Sequence, residues 1–220
     1  MKTSAFRLLT LTWLAFAAGS FGGESAGVSA DDALRRLLSG NGRFVAGKSN
    51  EPTGSALIER RQALAKDQKP FAVVVGCSDS RVPPELVFDV SLGDIFVERT
   101  AGEVVDAVAL GSIEYAVEHL GTHLIVVLGH QRCGAVSAAV SGAKDTGDIP
   151  DLLKAILPAV AETKGQSGDP IDNAVRANAR DIATRLQSTG PIIAPGVQSG
   201  EVKVVAAYYS LDTGQVELLK

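Results

Sequence analysis

Aromatic side chains make up only 5% of this 220-residue chain, and it holds just two cysteines and three histidines. So few aromatics argue against a stacking platform for nucleobases or sugar rings. Basic residues are not in excess either: 21 Lys and Arg stand against 25 Asp and Glu, a net charge of −4. No strongly basic face follows from that balance, which argues against a general nucleic-acid binder. The sequence shows no internal repeat, no low-complexity tract and no sign of a second domain. The one tryptophan, Trp13, lies near the start. Apolar residues at 45% and charged residues at 21% are ordinary for a soluble globular protein, and the length suffices for one sizeable core.

Residues 1–26 have the layout of a secretory signal. Lys2 and Arg7 form a short positive region, Leu8 to Ala18 is an uncharged apolar run, and small residues follow it. The run is shorter than the ~20 residues that span a bilayer. Cleavage is expected between Ala17 and Ala26, giving an exported, periplasmic protein with no membrane attachment afterwards. No cysteine follows the run to carry a lipid. Nothing later in the chain resembles a transmembrane segment.

Residues 27–220 read as one α/β domain. Asp31 to Ala46 has the spacing of an amphipathic helix with Asp31 or Asp32 as N-cap, and Ala56 to Lys66 reads as a second, charged helix. Together they make a helical arm over 31–66. Apolar strands are expected at Phe71–Gly76, Ile95–Arg99 and Leu124–Gly129, with Val82-Pro83-Pro84 forcing an extended turn. Asp106 to Leu120 reads as a helix closed by Gly121. Gly134 to Val140, Asp151–Lys164 (kinked at Pro158) and 171–187 are also expected to be helical. Val202–Ser210 and Val216–Leu219 around Asp212-Thr213-Gly214 carry a hairpin signal. This alternation implies a mainly parallel central sheet with an antiparallel edge strand and helices on both faces.

Both cysteines directly follow apolar strands. Cys77-Ser78-Asp79-Ser80-Arg81 follows one, and His130-Gln131-Arg132-Cys133 follows the other. The carboxyl ends of parallel strands are where α/β enzymes place their chemistry. If the two strands are neighbours, ~5 Å apart, then Cys77, His130 and Cys133 can converge above their ends. Two thiolates, an imidazole and the nearby Asp79 carboxylate are a tetrahedral zinc ligand set. Cysteine counting alone favours a different reading, a Cys77–Cys133 disulfide in an exported protein. A bridge, however, gives no reason for Asp79, Arg81 and His130 to crowd the sulfurs. Two thiolates neutralise Zn²⁺ and an added Asp79 would leave the site at −1, while a two-point bond from Arg81 can draw that carboxylate away.

The Cys-X-Asp-X-Arg and His-X-X-Cys motifs resemble the two signatures of the β-class carbonic anhydrases. The likeness extends through Arg99-Thr100-Ala101-Gly102, Ser112-Ile113-Glu114-Tyr115-Ala116 and Ala206-Ala207-Tyr208-Tyr209, from about Asp31 to the C-terminus. It implies one zinc per subunit on Cys77, His130 and Cys133. Asp79 would either take the fourth position or pair with Arg81 to leave room for water, so Asp79 and Arg81 are the expected catalytic pair. The implied reaction is reversible hydration of CO₂ to bicarbonate and a proton through zinc-bound hydroxide. The resemblance also implies an internal ion pair at Arg99 and a homodimer or tetramer with each arm packed over its partner. Thr100 stands where many members have asparagine. With Trp13 confined to the leader, a bicarbonate-binding inhibitory site built on a core tryptophan is not expected. Two rivals remain: a same-fold hydrolase of CS₂ or COS, and a non-catalytic exported binding domain with the disulfide. His119 and His123, flanking Gly121, read as helix-end charges.

Overall fold

The computed structural model describes residues 27–220; the leader expected at 1–26 lies outside them. Five strands build one sheet: β1 (Ala72–Cys77), β2 (Ile95–Thr100), β3 (Leu124–His130), β4 (Lys203–Tyr209) and β5 (Val216–Leu219). Their order is β2-β1-β3-β4-β5. The first four run parallel, and β5 pairs antiparallel with β4 at the edge. Every residue of β1 and β3 is buried. That explains why both read as unbroken apolar runs: a strand covered on both faces has no polar side to show.

Eight helices surround the sheet in the described residues: α1 (Ala30–Val45), α2 (Ser55–Ala63), α3 (Pro84–Val87), α4 (Ala107–Leu120), α5 (Gly134–Ser141), α6 (Ile149–Glu162), α7 (Pro170–Gln187) and α8 (Ile193–Ser199). One face of the sheet packs Val74, Val126, Leu128 and Ala207 against Ala33 and Leu37 of α1 and against Val87 and Phe88. The other packs Val73, Val75, Ile125 and Val127 against Ile113 of α4, Ala179 and Ile182 of α7 and Ile193 of α8. Strict alternation along β1 and β3 sorts their side chains between these two layers.

Several expectations need correction. The cap of α1 is Ser29, whose hydroxyl accepts from the Asp32 amide; Asp31 and Asp32 lie in the first turn, where their charge suits the helix dipole. In Val82-Pro83-Pro84 the chain is extended at Pro83 as expected, but Pro84 already starts α3, since proline at the first helical position loses no needed donor. Pro158 lies inside α6, the helix expected over this stretch. α1 also packs on its own chain, for Ala33 and Leu37 are fully buried against the sheet. Burial of Leu37 contributes roughly 1.5–3 kcal/mol by taking it out of water. Gly40 marks the tightest approach, for a Cβ there would sit 1.7 Å from the Phe88 carbonyl oxygen. Asp106 caps α4 through the Val108 and Ala109 amides, and Gly121 ends it at φ 65°, as expected.

Candidate metal centre

β1 ends on Cys77 and β3 ends on His130, and the two strands are direct neighbours. From His130 the chain makes one tight turn, with Arg132 in the left-handed region at φ 54°, and Cys133 becomes the residue that starts α5. Strand adjacency and that turn bring the three side chains together: the donor atoms of Cys77, His130 and Cys133 all lie within 4.8 Å of one another, and all three residues are buried. The two sulfurs are 3.9 Å apart and both cysteines are free. A tetrahedral ion with Zn–S bonds of about 2.3 Å has an S···S edge of about 3.8 Å. A disulfide needs about 2.05 Å. The spacing therefore fits a shared ion.

His130 supplies a second test of fit. Its Nδ1–H donates to the Gln131 carbonyl at 3.0 Å, which fixes the ring and leaves Nε2 to act. Nε2 is buried with no hydrogen-bond partner. An orphaned imidazole nitrogen facing two sulfurs is costly unless something positive fills the space. Zinc suits the donor set, since soft thiolates with one imidazole are its usual company.

Without an ion the two sulfurs titrate as one linked pair. The hydrogen bond between the sulfurs draws the Cys77 thiol well down, with His130 and the Gly102 amide helping. The same contact, then burial, pushes the Cys133 thiol far up. Burial pulls His130 down, but the Cys77 sulfur, Glu103 and Asp79 outweigh it and the net shift is upward.

Asp79 and Arg81 form a two-point pair. Arg81 Nε donates to Oδ1 at 2.9 Å and Nη2 to Oδ2 at 2.7 Å, while the Arg81 amide also donates to Oδ1 at 2.9 Å. These bonds hold the Asp79 carboxyl well below the usual carboxylate range. Its Oδ2 nonetheless stands 3.9 Å from His130 Nε2, at the rim of the ligand cluster. Arg99 makes no ion pair among the described residues. Its guanidinium instead clasps backbone, with Nε on the Cys77 carbonyl at 2.8 Å and Nη2 on the Asp79 carbonyl at 2.7 Å. It holds the two ends of the Cys77–Asp79 turn. His119 stacks near Tyr115 and His123 faces Glu201 at 3.4 Å, both away from the centre.

Sequence reasoning missed Glu103. It is fully buried, sits at φ 46° after Gly102 at φ 68°, and leaves Oε2 without a partner. Asn178 of α7 donates to its Oε1 at 3.2 Å and to the Gly102 carbonyl at 3.0 Å, and the Gly102 amide points to the Cys77 sulfur at 3.3 Å. Burial, then the Cys77 charge, raises the Glu103 carboxyl to about 8. No motif flags such a residue, because its role comes from a long-range contact with α7. The Ala101-Gly102 pair before it is the only local hint of a turn.

A carbonic anhydrase family profile matches residues 72–216. A carbonic anhydrase from Mycolicibacterium smegmatis is 43% identical over 191 residues, covering 84% of this chain and 91% of the relative. Among solved structures, the β-carbonic anhydrase CcaA superposes with a TM-score of 0.68 at 25% identity, covering 85% of this chain and 95% of that one. A tetrameric β-carbonic anhydrase from Sordaria macrospora shares the fold at a TM-score of 0.67 and 23% identity, over 86% and 97% of the two chains. With the profile spanning most of the chain, and with the paired strand-end motifs converging as they do, the chain belongs to the β-carbonic anhydrase family.

Proposed function

We propose that this chain hydrates CO₂ reversibly to bicarbonate and a proton at one zinc ion held by Cys77, His130 and Cys133. The observation that carries the reading is the buried, unpartnered His130 Nε2 beside two free sulfurs spaced as a shared tetrahedral ion needs. Zinc bound there would supply the Lewis acidity that makes a water nucleophilic near neutral pH. The two-point bond from Arg81 keeps Asp79 ionised and would hold it off the ion, leaving a fourth position for water. Asp79 Oδ2, at the rim of the cluster, is placed where it would accept a hydrogen bond from such a water and so orient it towards CO₂. Arg99 keeps both ends of the Cys77–Asp79 turn in register. Two thiolates cancel the charge of the ion, so water should be acidified less than at a three-histidine zinc site. Activity should rise between pH 7 and about 8.5.

The test is stopped-flow CO₂ hydration with native and Asp79→Ala protein of equal zinc content. The account expects native turnover and a loss of about 10²-fold in the variant. A native protein that hydrolyses CS₂ or COS but leaves CO₂ untouched would replace this reading with the hydrolase. Full rate in the variant would remove Asp79 from the mechanism.

The signal-like residues 1–26 support export to the periplasm, which N-terminal sequencing of the protein from that fraction checks. Exposed apolar side chains at Leu86, Leu92, Val108 and Tyr115 support a homodimer or larger assembly, to be read by light scattering.

A further inference from the structure

Asp212 lies in the turn between β4 and β5, outside both cysteine motifs, yet it gathers the two residues that separate His130 from Cys133. Arg132 grips it with both terminal nitrogens, Nη1 on Oδ2 at 3.0 Å and Nη2 on Oδ1 at 2.7 Å. Gln131 Nε2 adds a third donor to Oδ2 at 2.8 Å, and Gln131 Oε1 accepts from the Asp212 amide at 3.1 Å and from the Ser210 hydroxyl at 3.3 Å. The Gln131 amide is tied to the Tyr209 carbonyl at 2.9 Å. Arg132 thus sits in a left-handed conformation that a non-glycine residue adopts only when its surroundings impose it.

That conformation has a chemical consequence. The Arg132 carbonyl accepts from Arg81 Nη2 at 3.3 Å, and the same Nη2 holds Asp79 Oδ2 at 2.7 Å. Arg81 is therefore anchored from two sides, by Asp79 and by a carbonyl whose direction depends on the Arg132 backbone. Asp212 also neutralises the Arg132 guanidinium, which carries the same charge as the neighbouring Arg81.

We propose that Asp212 is a positioning residue for the Asp79–Arg81 pair, acting through the Gln131-Arg132 turn to keep Arg81 engaged and Asp79 out of the fourth ligand position. The proposal rests on the reading of Asp79 as a carboxylate able to occupy that position. Loss of Asp212 frees the turn and leaves an unpaired cation beside Arg81. Both changes weaken the hold on Asp79 and raise the fraction of protein in which that carboxylate occupies the site. Arg132 and Asp212 are each more than half exposed, so the effect is bounded by what exposed ion pairs deliver, roughly two- to five-fold.

The experiment is azide titration of the cobalt(II)-loaded full chain, followed by visible absorption, in native, Asp212→Asn, Asp79→Ala and doubly substituted protein at low ionic strength. Azide takes only the open form, so its apparent dissociation constant grows as the open fraction shrinks. The pH is set where Asp79→Ala binds azide at least about tenfold tighter than native protein, so that the closed form dominates the native equilibrium. There, Asp212→Asn is expected to weaken azide roughly two- to five-fold in the native background and to have no effect in the Asp79→Ala background. An equal effect in both backgrounds, or none in either, overturns the proposal. If no pH separates Asp79→Ala from native protein, the carboxylate never occupies the site, and the gate reading falls with the proposal built on it. Equal cobalt content in all four proteins shows that the comparison concerns folded sites.

Discussion

Glu103 offers the sharpest test of the buried electrostatics. In the metal-free protein its carboxyl is raised from an ordinary 4.5 to about 8, first by burial and then by the Cys77 charge. Between those values the folded chain holds a proton that the unfolded chain has released. Stability must then fall as pH rises through the window, by about 1.4 kcal/mol per pH unit from this group. Over the whole interval that reaches about 5 kcal/mol, and the loss is complete above the folded value. Glu103→Gln has nearly the same shape and no charge. Its Oε1 can still accept from Asn178, while its amide nitrogen takes the place of the unpartnered Oε2 and costs about 1–3 kcal/mol at every pH. The variant should therefore show an offset at low pH and a flatter pH dependence. Urea unfolding of chelator-treated, reduced protein at fixed concentration, at pH 5, 6, 7 and 8, reads both. The difference between variant and native protein should move in the variant's favour by several kcal/mol from pH 5 to pH 8. Parallel curves would mean that Glu103 is not a neutral buried acid, and would refute the reasoning.

Gly40→Ala drives a Cβ to 1.7 Å from the Phe88 carbonyl, so α1 must lift from the sheet. A loss of about 3 kcal/mol or more is expected by urea unfolding, and an unchanged midpoint would deny that α1 docks there. Arg99→Lys keeps the charge but loses the fork that clasps the Cys77 and Asp79 carbonyls. Zinc affinity, measured by chelator competition, should fall about 10–100-fold, and native affinity would show the clasp to be dispensable. His130→Ala should leave the fold intact by circular dichroism but empty the site by metal analysis; full zinc content would remove His130 from the ligand set.

The central strands and the convergence of the two cysteine motifs were legible because burial on both faces leaves an unmistakable apolar run, and because ligands must follow strand ends. Ser29 is not legible as the cap of α1, since two acidic residues close to it are equally good caps in isolation and only the start of the helix decides. Pro84 reads as a breaker until one knows that it stands first in its helix. α8 (Ile193–Ser199) is not legible in the sequence, for seven residues with a proline and a glycine carry no periodic signal and are held by packing of Ile193. Arg99 and Glu103 depend on contacts 20 to 75 residues away in sequence, which no local pattern encodes.

X-ray absorption at the zinc edge of the purified full-length protein measures the claimed site most directly. The account predicts one zinc per chain, with two sulfur scatterers at about 2.3 Å and nitrogen or oxygen at about 2.0 Å. Active protein without zinc, or a zinc shell containing fewer than two sulfurs, would contradict it.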